Sequence, residues 1–318
     1  MDSNKSFWTA FSAISAAVVA FFATLGCQSN GSEGFFYGSL GREPKLIVTS
    51  STSVTASPFM LVQYSIDGVF EKVLYDSTFE NRLLRSMAMI DPFNFLISTD
   101  TVDGILQYNV FNGISTFVAS GSLSGNLFTL RRATNGDVFV IETTFIESFD
   151  SAGGRIGNPR INTTTGSCVM NGTVRGMDID SSGTLIVASQ GNDDLLFYDV
   201  SNPSSTTCVT ANQTMGNIDP IGVVAHTDGS IYVATANGTD SIYRFNGDGS
   251  GSGTSIYTMA AATNPTAMIQ MPDGSLLIAN DGNNNIIKID TSGNVVAYPF
   301  IQDGFTLYVQ DMMILEAP

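Results

Sequence analysis

The chain repeats a unit of two apolar strands and a turn, and this repeat constrains the fold more than any other feature. In the C-terminal copy, a turn at Asp273-Gly274 precedes a strand at 275–279, a polar loop and a second strand at 285–290. Equivalent strands recur about every 43 to 49 residues, beginning at Leu46, Phe95, Val138, Leu185, Ile231 and Leu276. A period of about 40–50 residues is typical of one four-stranded blade of a β-propeller.

Six copies predict an all-β protein with six blades of four antiparallel strands. The first copy lacks an innermost strand, and the last segment, 307–315, has no partner strands after it. We therefore predict that the C-terminal strand completes the first blade, which closes the ring and removes its open edge. The predicted blades are 46–75 with 307–315, 84–120, 127–170, 174–210, 220–259 and 265–299, and the outer edge of the third is poorly patterned. A β-sandwich is the alternative, but it has no reason to repeat at a near-constant period.

The N-terminus carries an export signal. Residues 7–26 are apolar and uncharged, Lys5 precedes them, and Cys27 follows them. An apolar segment of this length suits a leader or a membrane helix. We predict a leader at 1–26, a flexible Gly/Ser-rich tether at 27–43 and the propeller at 44–318.

The segment Thr24-Leu25-Gly26-Cys27 resembles the lipobox of bacterial lipoproteins, although Thr24 stands where that family usually has leucine. The resemblance implies cleavage before Cys27 and lipidation of its thiol. Since Gln28 replaces the aspartate that retains such lipoproteins at the inner membrane, it also implies an outer-membrane location. An uncleaved signal anchor and an ordinary secretory leader are the alternatives, and all three export the propeller.

The net charge restricts the partners. The chain has 13 Lys and Arg against 29 Asp and Glu, which gives −16. Because a surface this acidic repels phosphate backbones, we expect no nucleic-acid partner. We expect a monomer that contacts the membrane through its lipid and binds an envelope protein or a small molecule.

Residues for nucleophilic catalysis are scarce. The one histidine, His226, precedes a turn at Asp228-Gly229, and other copies have unrelated residues there. We therefore expect His226 to be a structural, turn-facing surface residue. No G-x-S-x-G motif occurs, so a Ser-His-Asp hydrolase is not indicated. We expect no catalytic residues.

The remaining two cysteines, Cys168 and Cys208, stand in similar local sequences of neighbouring repeats. An exported chain meets an oxidising compartment, which favours a disulfide. Outer strands of adjacent blades diverge, however, and bridging requires Cα atoms within about 7 Å. One bridge and two free buried thiols both remain open.

Polar residues gather in the loops that join strands two to three and four to one, which lie on one face of a propeller. The candidate ligand-binding residues at this channel mouth are Asn126, Asp219, Asn264, Asp281, Asn283 and Asp311. Their oxygen atoms suit Ca²⁺ or another divalent cation. The alternative is that they are turn residues that bond their own backbone, with no cofactor.

The C-terminal copy resembles an NHL repeat. The matching residues are Asp273, Gly274, Ala279, Asn280, Gly282, Asn283 and Asp290, while Asn284-Asn285 replace the usual arginine. Similar six-bladed proteins include SMP-30-like lactonases, streptogramin lyases and non-enzymatic binding modules. The resemblance implies a divalent metal held by Glu, Asn and Asp in the lactonases and histidines in the lyases. This chain has no matching glutamate and only His226.

These features favour a lipid-anchored cell-envelope propeller that binds or scaffolds a protein or a small ligand. The alternative is a metal-dependent hydrolase of the lactonase type with its site at the channel mouth, near Asp219 and Asn264. A third interpretation is recognition of a soluble sugar or peptide at the same mouth.

Overall fold

The computed structural model describes residues 43–51, 59–77, 83–100, 104–123, 125–157, 161, 167–170, 172–202, 206–214, 219–236, 240–259 and 263–316. The predicted leader, Cys27 and the tether up to residue 42 lie outside these ranges. In the part of the chain that is described, no helix is long and apolar enough to cross a membrane.

The strands follow the predicted order, with the first blade beginning at β1 (Lys45–Ser51), β2 (Phe59–Ser65) and β3 (Phe70–Asp76). The second blade contains β4 (Leu83–Asp91), β5 (Asn94–Asp100), β6 (Ile105–Asn109) and β7 (Gly113–Val118), and the third contains β8 (Leu127–Arg132), β9 (Val138–Glu142) and β10 (Phe145–Phe149). The fourth contains β11 (Val174–Ile179), β12 (Thr184–Ser189), β13 (Asp194–Asp199) and β14 (Thr207–Thr214). The fifth contains β15 (Pro220–Ala225), β16 (Ser230–Thr235), β17 (Ser241–Asn246) and β18 (Thr254–Thr258). The sixth contains β19 (Pro265–Gln270), β20 (Leu276–Asn280), β21 (Asn285–Ile289) and β22 (Val295–Ile301), and β23 (Asp311–Leu315) ends the chain's strands.

The six blades form a closed ring. Each innermost strand contacts the innermost strand of the next blade, in the cycle β23, β4, β8, β11, β15, β19 and back to β23. β23 pairs antiparallel with β1, from Lys45 opposite Leu315 to Thr49 opposite Asp311. The predicted fold and the closure of the first blade by the C-terminal strand are confirmed.

The third blade has an irregular outer edge. Among the described residues its sheet contains three strands, in the order β10-β9-β8. Two isolated bridges, Ile146 with Ile161 and Phe149 with Arg155, lie where the fourth strand of the other blades runs. The poor patterning of the sequence there matches this reduced strand.

The Asp-Gly turns set the register of the strands. In the sixth blade, Asp273 Oδ1 accepts hydrogen bonds from the backbone N–H and the hydroxyl of Ser275. Gly274 adopts a φ of +81°, which glycine reaches without a steric penalty. β20 then starts in register, and every one of its residues is buried.

The core lies between the blades. Leu46 and Val48 of the first blade pack in one cluster with Leu277 and Ala279 of the sixth. Equivalent clusters join other neighbouring blades, such as Leu185 and Val187 with Phe139. Since each blade buries one face against the next, the ring must be complete before every blade is covered.

Candidate functional site

A repeated β-bulge shapes the channel mouth. The innermost strands of blades two to six each shift register at their first residues, between Leu84 and Met87, Leu127 and Leu130, Val174 and Gly176, Pro220 and Gly222, and Pro265 and Ala267. A bulge leaves a residue unpaired and re-aims its side chain. The residues inside these shifts all line one cavity of about 280 Å³, and they are Arg85, Ser86, Phe128, Thr129, Arg175, Ile221 and Thr266.

Arg85 is held rigidly at this cavity. One terminal nitrogen lies 2.7 Å from Asp100 Oδ2, and the other donates to Gln310 Oε1 at 2.6 Å. Its guanidinium also lies 5.9 Å from the centre of the Phe128 ring. Asp100 therefore compensates the charge of Arg85.

Arg175 has no such compensation. Its guanidinium lies 4.8 Å from the centre of the Phe128 ring, and its Nε donates to Gln190 Oε1 at 3.3 Å. No carboxylate in the described part of the chain forms an ion pair with it, and its terminal nitrogens have no hydrogen-bond partner there. Its side chain is exposed at the mouth, and partial desolvation by its neighbours, followed by the charge of Arg85, lowers the pKa of Arg175 below its ordinary value.

Arg131 lies in the channel between this cavity and a second one. Its Nε lies 3.3 Å from Asp178 Oδ1, and a terminal nitrogen lies 3.7 Å from Asp311 Oδ2. Arg131 lines both this cavity and a second one, at the other end of the channel, that Asp178 also lines. The ion triad thus connects blades one, three and four where the two cavities adjoin.

Gly176 lets two inner strands come close together above this triad. A Cβ at Gly176 would lie 2.5 Å from the carbonyl oxygen of Ile221 in the next blade. That distance is too short for any side chain, so only glycine allows β11 and β15 to narrow the channel at this point.

Asp281 is the second uncompensated charge of the cavity. It follows β20 directly and is half-buried, and its Oδ1 is buried without a hydrogen-bond partner among the described residues. Burial raises the pKa of this carboxyl, and the hydrogen bond from the Asn264 side chain only partly opposes that rise.

The structure brings three of the six predicted ligand-binding residues to the cavity. Asn264, Asp281 and Asp311 line it, whereas Asn126, Asp219 and Asn283 are not among its lining residues. Asn126 and Asn283 are exposed.

Asp219 and Asn264 hold the turns before two inner strands. Both have left-handed backbones, with φ of 43° and 48°. The N–H of Asp219 donates to Asp193 Oδ1, and that of Asn264 donates to Asp240 Oδ2, each at 2.8 Å. Both residues thus stand in turns that an aspartate of the preceding blade fixes through the backbone N–H.

The donor set at the mouth does not fit a divalent metal. Asp311 already accepts hydrogen bonds from the Ser86 hydroxyl at 2.5 Å and from the N–H groups of Met87 and Met312 at 2.9 and 2.8 Å. The guanidinium groups of Arg85, Arg131 and Arg175 also line the cavity, and their charges would repel a cation. Within the described ranges, no three His, Cys, Asp or Glu residues come close enough together to hold a metal ion.

His226 is structural, but the expectation that it lies on the surface is wrong. The side chain is only 3% exposed. The N–H of Asp228 donates to Nδ1, which leaves the proton on Nε2 to donate to the carbonyl of Gly274 at 2.8 Å. Because Gly274 belongs to the turn of the next blade, His226 joins two blades and is unsuited to act as a base at the mouth.

The two cysteines form a disulfide in the structure. Cys168 and Cys208 have Cα atoms 5.6 Å apart, within bridging range. The geometric objection to a bridge does not apply, because Cys168 lies on the irregular edge of the third blade and not on a diverging fourth strand.

The sequence reasoning overlooked the arginines at the mouth. Arg85 and Arg175 occupy the bulge of their inner strands, and Arg131 follows the bulge of β8. A signal was present, since four of only 13 basic residues, these three and Arg132, stand on three consecutive inner strands.

Comparison with solved structures shows the same architecture. A structure of the nidogen/laminin complex matches with a TM-score of 0.65 and 12% identity, covering 86% of this chain and 98% of that chain. A candidate 6-phosphogluconolactonase from Bacteroides fragilis matches with a TM-score of 0.55 and 11% identity, covering 87% and 99%. A catalytically inactive virginiamycin B lyase from Staphylococcus aureus with quinupristin matches at 0.52 and 15%, covering 69% and 70%.

The chain is a six-bladed β-propeller. At these identities the likeness concerns the fold of the propeller alone. No protein-family model matches the chain, and no curated sequence matches it.

Proposed function

We propose that this chain is a lipid-anchored propeller of the cell envelope that acts as a binding module, with its ligand or partner segment entering the channel mouth. The observation that carries the proposal is the cavity built by five successive bulges, with Arg131 among its lining residues. A concave site with a few converging polar groups is the usual form of a ligand pocket.

The chemistry of the mouth favours binding over metal-dependent hydrolysis. Asp311 has its oxygens occupied, and His226 faces another blade. Of the functions considered, the lactonase type requires a metal that these donors do not fit. Propellers also bind proteins, as the nidogen structure in complex with laminin illustrates for that protein.

The test is a substitution that fills the cavity at the channel mouth with a large side chain and leaves its charged residues unchanged. Ala236 lines the cavity, so Ala236→Trp should occlude it. Asn112→Trp, on the exposed turn between β6 and β7, is the matched control, because that turn belongs to the opposite face. The measurement is chemical cross-linking of both variants and the parent protein in intact envelopes, followed by mass spectrometry.

We expect specific cross-linked products for the parent and for Asn112→Trp, and their loss for Ala236→Trp. EDTA should leave the melting temperature of all three unchanged, since a bound ion would stabilise the native state by mass action. Products that persist in Ala236→Trp, or a melting temperature that EDTA lowers, would contradict the proposed function.

A further inference from the structure

Two guanidinium groups share one aromatic ring at the mouth. Arg85 and Arg175 lie 5.9 and 4.8 Å from the centre of Phe128. Arg85 has Asp100 as its counter-ion, while Arg175 has an amide, Gln190, as its polar partner. The cavity therefore contains one positive charge without a counter-ion, in a protein with a net charge of −16.

The surroundings of Arg175 position its planar face. Phe128 supports it from one side, and Thr129 donates its hydroxyl to the carbonyl of Arg175 at 2.7 Å, which fixes the backbone of the bulge. Only Nε is engaged, so both terminal nitrogens are available as a pair of parallel donors. Such a fork matches the two oxygens of a carboxylate.

The acceptor group of Asp281 indicates a second chemical group that the ligand should have. Asp281 presents a buried Oδ1 without a partner among the described residues, and burial raises its pKa. Because Asp281 also lines the cavity, a hydroxyl or ammonium donor on a ligand would meet its carboxyl group there.

We propose that the channel mouth binds the carboxylate of a small polar ligand through Arg175, with a donor group of that ligand directed to Asp281. This inference rests on the proposed binding function. The carboxylate has two plausible sources, a free hydroxylated acid and the C-terminus of a short peptide, and the same fork would bind either.

The experiment is isothermal titration of the protein, purified as the cell produces it, with four probes. Glucuronate and triglycine supply a carboxylate, whereas glucose and triglycine amide are their neutral counterparts. We expect at least one carboxylate to bind about tenfold or more tightly than its neutral counterpart. The stronger of the two carboxylates identifies the source.

Arg175→Gln should weaken that binding at least about tenfold, and Arg175→Lys should restore it only partly, because lysine lacks the fork. Arg244→Gln is the matched control, since Arg244 lies outside the cavity and its loss changes the net charge equally. Melting curves check that each variant is folded.

The proposal is overturned if no carboxylate binds at millimolar concentration, if the neutral probes bind as well, or if Arg175→Gln has no effect. The proposed function is tested separately: cross-linked products that vanish in Ala236→Trp would keep the binding role even when carboxylates fail. If carboxylates do not bind and the cross-linked products persist in Ala236→Trp, both the carboxylate site and the binding function are refuted.

Discussion

Arg131 joins the inner strands of three blades through ion pairs. It contacts Asp178 on the fourth blade and Asp311 on the first, and both carboxylates are mostly enclosed. Burial raises the pKa of Asp178, while the charge of Arg131 and the N–H of Ala225 act in the opposite direction. The charge of Arg131 therefore offsets part of the effect of burial on the Asp178 carboxyl.

We predict that Arg131→Met lowers the free energy of unfolding by about 1–3 kcal/mol at neutral pH, because two enclosed carboxylates lose their cation. Removing Arg131 raises the pKa of Asp178 further above its unfolded value. The deficit should therefore grow as the pH rises through that pKa and shrink in acid, where Asp178 is protonated. Urea unfolding at neutral and acidic pH measures both effects.

Arg132→Met is the control for this prediction. Arg132 is the next residue on β8 and donates to the carbonyl of Ile90, without an acidic partner in the described residues. Its replacement should cost less than about 1 kcal/mol, with little pH dependence. Equal deficits in the two variants would show that the triad does not stabilise the ring.

Among the elements, the outer edge of the third blade is the least regular. It has two isolated bridges in place of a paired fourth strand, and Cys168 there is joined to Cys208 of β14. The disulfide ties the third blade to the fourth at the rim, where the ladder of hydrogen bonds is interrupted. Exported proteins can maintain such a bond.

We predict that reduction of this bond lowers the free energy of unfolding by about 2–4 kcal/mol, because it frees a segment of 40 residues in the unfolded chain. The measurement is urea unfolding with and without a thiol reductant. A double variant, Cys168→Ala with Cys208→Ala, should be insensitive to reductant. A parent protein equally stable in both conditions, with two titratable thiols, would disprove the bridge.

The elements also show what the sequence can predict. Strands such as β20 repeat the same apolar pattern, so their number and order follow from the period. The bulges do not, because the extra residue at Arg175 breaks the alternation that a strand pattern relies on. Asn264 and Asp281 were predictable at the mouth as loop residues, whereas the arginines required knowledge of which inner-strand residues are unpaired.

For the whole molecule, the charge and the proposed anchor act together. A net charge of −16 repels the ring from anionic lipid headgroups. Attachment to a membrane would therefore depend on the proposed lipid at Cys27 or on the apolar residues before it. A lipoprotein leader would leave the lipid on the mature protein, an uncleaved signal anchor would leave the apolar residues, and an ordinary secretory leader would leave neither.

We predict that Cys27→Ser abolishes acyl labelling of the protein and lowers the share of it in the membrane fraction, since this thiol is the proposed site of lipid attachment. Radioactive palmitate labelling and fractionation of the envelope measure this change. Ser29→Ala, two residues further on, should behave as the parent protein does. An unlabelled parent that remains in the membrane would instead favour an uncleaved signal anchor.

The pairing of β1 with β23 has a consequence for biogenesis. Lys45 meets Leu315, so the first blade contains both the earliest and the latest strand of the propeller to leave the ribosome. The first blade cannot acquire its inner strand while synthesis is under way, and its neighbours on either side stay partly uncovered until then. In the export that we propose, this order would be useful: the chain would stay open during its passage through a membrane, and the ring would be completed at its destination.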